Sequence, residues 1–283
     1  SNAQVLSIYE AIQTKIFDKK NAILVIPETY AGIDFSNYFG QSFIGYKRVI
    51  FNQNAYYTYS GKTIEQVRNF YHNDDTIQIL SISENTHDFL TRNIGIKDDK
   101  ITRIINGIED KFINENIKED LITWMPRKNE EHVEAIINSI GMINEKYVAG
   151  WIGKKIEGLT HDEVAELLKK SRIFLSFGHP EGFGLPVAEA MASECWVVGY
   201  TGQGGRELFR YGASSCIEFG DWRGFIDEIE KTMKNFKEHP EETRFRAERQ
   251  AKAIKYLYSS EQERESIERA WKKIVNIFRG VIK

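Results

Sequence analysis

Cysteine is almost missing. The 283 residues hold two, Cys195 and Cys216, with neither metal-type spacing nor the pattern of a disulfide framework. A disulfide-built scaffold is thereby excluded, and a reducing cytosol fits the composition. No apolar run approaches the length of a membrane span, and no secretory signal is visible. There is no basic excess either: 38 Lys and Arg stand against 41 Asp and Glu, for a net charge of -3. A nucleic-acid protein usually carries a strong positive balance, so that class is excluded. Histidines at His-x3-His spacing are absent, as are internal repeats and low-complexity segments.

What is present is the material of a soluble globular protein, 41% hydrophobic and 12% aromatic, long enough for one large domain or two ordinary ones. Short apolar runs alternate with helical patterns, the mark of an α/β fold with parallel strands. Predicted strands are Ala22–Ile26, Arg48–Asn52, Thr76–Ser81 and Ile101–Ile105, then Asp120–Met125, Ile173–Phe177 and Cys195–Gly199. Helical stretches include Glu131–Ser139, Asp162–Ser171 and Pro186–Ser193. The pattern pauses at Asn106-Gly107, a turn signal followed by the charged "EDKFINENIKED". Three regions are expected: a first domain over 1–106, a second over 107–260, and a terminal amphipathic helix over 261–283. The helix carries Ile267, Ala270, Trp271, Ile274, Val275, Ile277 and Phe278 at helical spacing. That stripe suits packing on the body of the protein. A membrane-surface helix is the alternative, through Lys272, Lys273, Arg279 and Lys283.

The most informative stretch is "SFGHPEGFGLPVAEAMASECWVVGYTGQGGREL", Ser176 to Leu208. A buried strand runs into a glycine-bearing turn, Pro186 suits the first helical position, and a second buried strand follows. Such a βαβ unit places its first loop at the carboxyl end of a strand, where open α/β sheets bind ligands. Gly182 and Gly184 let a ligand approach the backbone, and the N–H groups opening the helix attract an anion such as phosphate. Glu181 and Glu189 can accept hydrogen bonds from hydroxyl groups. Phosphate donors flanked by two hydroxyl acceptors suit a nucleotide-sugar. A plain βα turn, with Glu189 serving the helix dipole, is the alternative.

Glu181 and Glu189, with the seven residues "GFGLPVA" between them and "EAMA" beginning at the second, resemble the paired-glutamate motif of retaining glycosyltransferases of family four, which have the GT-B fold. "GYTGQGGREL" resembles that family's next loop and helix. "ITWMPRKN" is similar to its segment in which a strand ends in a basic pair, and "KIEGLTHDEVAELLKKSRIFLSF" to the segment before the glutamates. "SISENT" and "RIINGIED" look like the end of the first domain and its hinge. The resemblance covers most of 76–260 and, more loosely, 22–60.

It implies a role for each residue. Glu181 contacts the donor sugar, Glu189 the ribose, and Phe183, Gly184 and Leu185 supply a backbone cradle. Arg127 and Lys128 sit on the diphosphate and stabilise charge on the leaving nucleotide, or else form a solvated surface pair. Ile156 borders the nucleobase or packs. His179 adjoins Glu181 and either touches the donor or is a polar loop residue. Many family members bring a histidine from the first domain to the transferred sugar. Here "VIFNQNAYYTY" offers none, and Gln53 stands as its substitute.

The resemblance therefore implies two facing Rossmann-like domains, the first reduced in size, and glycosyl transfer from a nucleotide-diphosphate sugar to an acceptor hydroxyl with retention. No metal and no cofactor are expected, and no Asp-x-Asp motif is seen. The acceptor is expected to be a saccharide or a lipid-linked molecule of cell-surface polysaccharide or glycoconjugate synthesis. The expected location is the cytoplasm, with peripheral association at the inner membrane face left open. An inactive nucleotide-sugar-binding module acting with a partner is the rival, and an epimerase of the same architecture fits less well. The opening Ser1-Asn2-Ala3 reads as an engineered start, and no strand or glycine-rich loop is visible before Ala22. Either an upstream segment is omitted or the first domain is small, so weak transfer by this chain alone is expected.

Overall fold

The apolar runs become parallel strands in two sheets. The computed structural model describes residues 19–33, 44–114, 117–142 and 145–280. These fall into two compact units: Ser1–Ile82, Thr86–Ile104 and Ile267–Lys283 form the first, and Ser83–Asn85 with Ile105–Ser266 the second.

In the first unit β1 (Ile23–Pro27), β2 (Lys47–Asn52), β3 (Thr76–Ser81) and β4 (Ile101–Arg103) pair in that order, all parallel. Helix α1 (Ile64–Tyr71) connects β2 to β3 and starts in a capping box, Thr63 and Gln66 satisfying each other's backbone N–H groups. A short helix α2 (Glu84–Phe89) follows β3. Ile50, Val67, Tyr71, Ile79 and Leu90 form the core. At the carboxyl end of β2, buried Asn52 donates from Nδ2 to Tyr71 Oη (2.9 Å) and to Thr58 Oγ1 (3.1 Å). Burial pushes the Tyr71 phenol well above its ordinary range. Tyr71→Phe is expected to cost about 1–2 kcal/mol, because it strips a partner from a buried amide. A urea-denaturation midpoint unchanged from wild type would contradict this.

In the second unit the chain runs β5 (Glu119–Trp124), α3 (Glu130–Ile140), β6 (Ile152–Lys155), α4 (His161–Lys170), β7 (Ser171–Ser176), α5 (Leu185–Ala192), β8 (Trp196–Tyr200) and β9 (Ser214–Ile217). Three longer helices close it: α6 (Trp222–Glu238), α7 (Pro240–Leu257) and α8 (Ser260–Phe278), the last continuing into the residues of the first unit. The strand order is β6-β5-β7-β8-β9, parallel throughout. β7 and β8 are buried along nearly their whole length, which explains their continuous apolar sequence. Ile173, Leu175, Phe177, Val198, Tyr200, Phe225 and Met233 share one core cluster.

The observed strands lie within two residues of the expected ones at every end, with two additions. β6 reads IGKK and is exposed at all four positions, and β9 reads SSCI. Both are edge strands, so neither needs the apolar run by which the inner strands are found. Along α8, Ala270 and Ile274 are fully buried and Lys273 Nζ donates to Asp99 O (2.6 Å). Ile267 of the same stripe stays exposed, and Trp271, Val275, Ile277 and Phe278 are half-buried. Among the described residues no helix is long and apolar enough to cross a membrane.

From β5 the chain steps outward to β6, then returns to the opposite side of β5 for β7. The order reverses between β5 and β7. In open α/β sheets the crevice at the strand carboxyl ends, at such a reversal, is where ligands bind.

Candidate functional site

Three loops meet at that crevice. After β5 come Arg127, Lys128 and Asn129; after β7, residues 177–184; after β8, Thr201 to Gly205. Asn129, in the left-handed backbone region at φ 54°, donates from Nδ2 to Phe177 O (2.6 Å) and His179 O (3.2 Å). Lys128 Nζ donates to Pro180 O (2.6 Å) and pairs with Glu181 Oε1 at 2.9 Å, both side chains about one-fifth exposed. The third loop joins through the main chain. Glu181 N donates to Gly202 O (2.8 Å), Gly204 N donates to Glu181 O (3.2 Å), and Glu181 forms a parallel bridge with Gln203.

Together these loops line a solvent-open pocket, with Arg127, Lys128, Gly178, Glu181, Gly184 and Thr201 in its wall. The exposed Arg127 has no carboxylate partner among the described residues, so its guanidinium is available to an anion. At the pocket edge α5 begins. Gly184 is its N-cap at φ 90°, a conformation L side chains resist, and Pro186 occupies the second helical position rather than the first. The first intrahelical bonds run from Val187 N and Ala188 N to Gly184 O. The N–H groups of Gly184 and Leu185 therefore lie outside the helical ladder, on the positive end of the helix dipole. Cations, helix terminus and carboxylate converge on one pocket, an arrangement that can hold a phosphate ester next to a hydroxyl-bearing group.

The other expected residues are placed less directly. Glu189 lies in the second turn of α5, outside the wall of that pocket, with its side chain 12% exposed. Its carboxylate accepts from His161 Nε2 at 3.1 Å. Burial raises the Glu189 carboxyl above its ordinary range, and His161 opposes the shift. The side chain of Phe183 is buried, its ring 5.2 Å from that of Tyr258, so only its backbone can serve a ligand. Ile156 is buried as well, and its N–H donates to Trp124 O (2.8 Å). Leu185 is 43% exposed.

His179 stacks on Phe219 with ring centroids 4.1 Å apart. Burial, with Lys128 adding to it, pushes its imidazole below the usual value and so favours the neutral ring. Gln53 belongs to the first unit, exposed after β2, with its N–H held by Glu28 Oε2 at 2.9 Å. The structure adds Asn129, His161 and Gly204 to the set. Asn129 adjoins the basic pair in sequence, and the glycines of "TGQGG" hint at a close approach. His161, 28 residues from Glu189, carries no sequence signal.

Known proteins match both the sequence and the fold. Residues 154–250 match the family model described as Glycosyl transferases group 1. A 47-residue segment is 49% identical to an alpha-1,6-glucosyltransferase of Actinobacillus pleuropneumoniae; the match spans 17% of this chain and 14% of that protein's length. Among solved structures, sucrose-phosphate synthase from Thermosynechococcus elongatus superposes with a TM-score of 0.68 at 12% identity, over 95% of this chain and 77% of that one. A glycosyltransferase from Rickettsia africae gives 0.66 at 14% identity, over 95% and 79%. Anabaena HepE, solved in complex with UDP, gives 0.67 at 12% identity, over 93% and 81%. The family match thus takes in the paired glutamates, and the parallel-sheet, Rossmann-like α/β fold of the chain matches that of solved GT-B glycosyltransferase structures.

Proposed function

We propose that the protein transfers a sugar from a nucleotide-diphosphate sugar to an acceptor hydroxyl, with retention at the anomeric carbon. The observation that carries this is the convergence of Arg127, Lys128, Glu181 and the amino end of α5 on one pocket at the sheet's order reversal. Relatives lend support: HepE was also solved with UDP-glucose, and TarM in complex with UDP. The diphosphate lies on Arg127, Lys128 and the N–H groups opening α5. Glu181 accepts from sugar hydroxyls and Glu189 from the ribose. As the glycosidic bond loosens, positive charge grows on the sugar and negative charge on the departing diphosphate. Fixed cations and a helix terminus stabilise the latter without reorganising, and the reaction as proposed uses no metal. The acceptor is a saccharide or lipid-linked glycan of cell-surface or glycoconjugate synthesis, made in the cytoplasm.

Calorimetric titration with UDP-, GDP- and ADP-sugars tests the donor site, and NMR of the product's anomeric proton tests retention. Arg127→Ala is expected to weaken the bound nucleoside diphosphate by about 1.5–3 kcal/mol, the range for hydrogen bonds to charged groups, and to leave the parent nucleoside unaffected. Equal losses for nucleoside and diphosphate would remove Arg127 from the phosphate site. Binding of every donor without turnover on any acceptor would instead make the chain a nucleotide-sugar-binding module.

A further inference from the structure

We infer that His161 is a positioning residue for nucleoside recognition: it clamps one oxygen of Glu189 and so presents the other to the ribose 2′,3′-diol. The inference rests on the donor site proposed above, and names a side chain on which that site's ribose contact depends.

The clamp is built from several elements of the second unit. His161 is the first residue of α4, directly after Thr160, whose capping box with Glu163 fixes the backbone at that point. Its ring lies edge-on to the buried Phe112, with centroids 5.1 Å apart. Nε2 reaches Glu189 Oε1 at 3.1 Å, while Nδ1 reaches Glu109 Oε1 at 3.2 Å. Glu109 is held by Lys111 at 3.1 Å, and Lys111 also reaches Asp162 at 2.7 Å. The imidazole therefore stands between two carboxylates, backed by an aromatic ring, with one cation and one further acid beside it.

The consequence for Glu189 is chemical. A carboxylate has several lone-pair sites on its two oxygens, and its terminal torsion is broad when nothing holds it. Among the described residues His161 is the one donor to this carboxylate, and its bond falls on Oε1. Oε2 keeps its acceptor capacity. A carboxylate held in one orientation loses less freedom when a diol binds than one that rotates, so the clamp strengthens the hydroxyl contact without touching the ligand.

The experiment compares wild type, His161→Ala and His161→Gln by calorimetry. UDP, GDP and ADP are titrated first, then the 2′-deoxy and 3′-deoxy forms of whichever binds tightest, with circular dichroism confirming that each variant is folded. Wild type is expected to favour the ribonucleotide by about tenfold or more, the fold-change of a hydrogen bond to a charged group. His161→Ala should lose most of that preference while keeping its affinity for the deoxy forms. His161→Gln, whose amide can still donate to Glu189, should recover part of it. A preference unchanged in His161→Ala, or a loss shared equally by ribo and deoxy forms, overturns the clamp and leaves the donor site standing. Failure of wild type to bind any of the three diphosphates overturns the donor site, and the clamp with it.

Discussion

Gly204→Ala is expected to empty the site. A Cβ built at that position falls far inside the 3.0 Å limit of real Cβ contacts, against Gly182 O and Glu181 O. Both obstacles are backbone atoms, so no flexible side chain can swing aside. The loop after β8 must part from the loop after β7, breaking the bonds from Glu181 N to Gly202 O and from Gly204 N to Glu181 O. Overpacking costs about 1–3 kcal/mol and each lost hydrogen bond about 1 kcal/mol, so a stability loss of about 3–5 kcal/mol follows. Glu181 moves with its loop, and a misplacement on the ångström scale is enough to lower turnover by about 100-fold. The comparison is Gly141→Ala, at the end of α3, where the nearest atom to a new Cβ is 3.7 Å away. Urea denaturation and nucleotide titration of both variants decide the matter. If Gly204→Ala matches Gly141→Ala in both, the close approach of the two loops does not hold the site.

Glu189→Gln is expected to divide stability from function. Replacing the carboxylate by an amide of the same shape removes a charged acceptor for the ribose, so nucleotide affinity should fall by about 1.5–3 kcal/mol, or roughly 10–150-fold. Stability should move the other way. Burial raises the folded-state pKa of Glu189 above its unfolded value, which is near 4.3. Its contribution to stability is therefore fully present below that unfolded value and lost as pH rises through the folded one. At pH 7 the wild type carries a desolvated charge that glutamine does not. Its pairing with His161 offsets little, because that ring is 48% exposed. Urea midpoints at pH 7 should be equal or higher for Glu189→Gln, and the advantage should vanish as pH falls towards 4. A variant that loses both midpoint and affinity at pH 7 would mark Glu189 as a structural residue.

The sequence declares the inner parts of this fold and hides its margins. β7 and β8 are legible because strands covered on both faces must be apolar along their length, while β6 and β9 lie at edges and carry IGKK and SSCI. The turn at Gly184 and Pro186 announces a helix start to within one residue, since a left-handed N-cap and a fixed proline φ are local demands. The chemistry of the pocket is legible only as residue types. That Lys128 lies on Glu181, 53 residues away, follows from the pairing of β5 with β7, which no local pattern encodes. That Glu189 falls outside the pocket wall is a further case. Spacing places it on α5 but not on the side of the helix that meets His161.

The seam between the loops after β7 and β8 is made of main-chain groups: Glu181 N to Gly202 O, and Gly204 N to Glu181 O. Such a seam is blind to the side chains hung on it. The exceptions are steric: a Cβ at Gly202, Gly204 or Gly205 would fall within 3.0 Å of the loop after β7, and Gln203 between them holds a left-handed φ of 68°. The carboxylate is therefore held in place by main-chain shape on both sides, and no side chain is needed to keep the two loops in register.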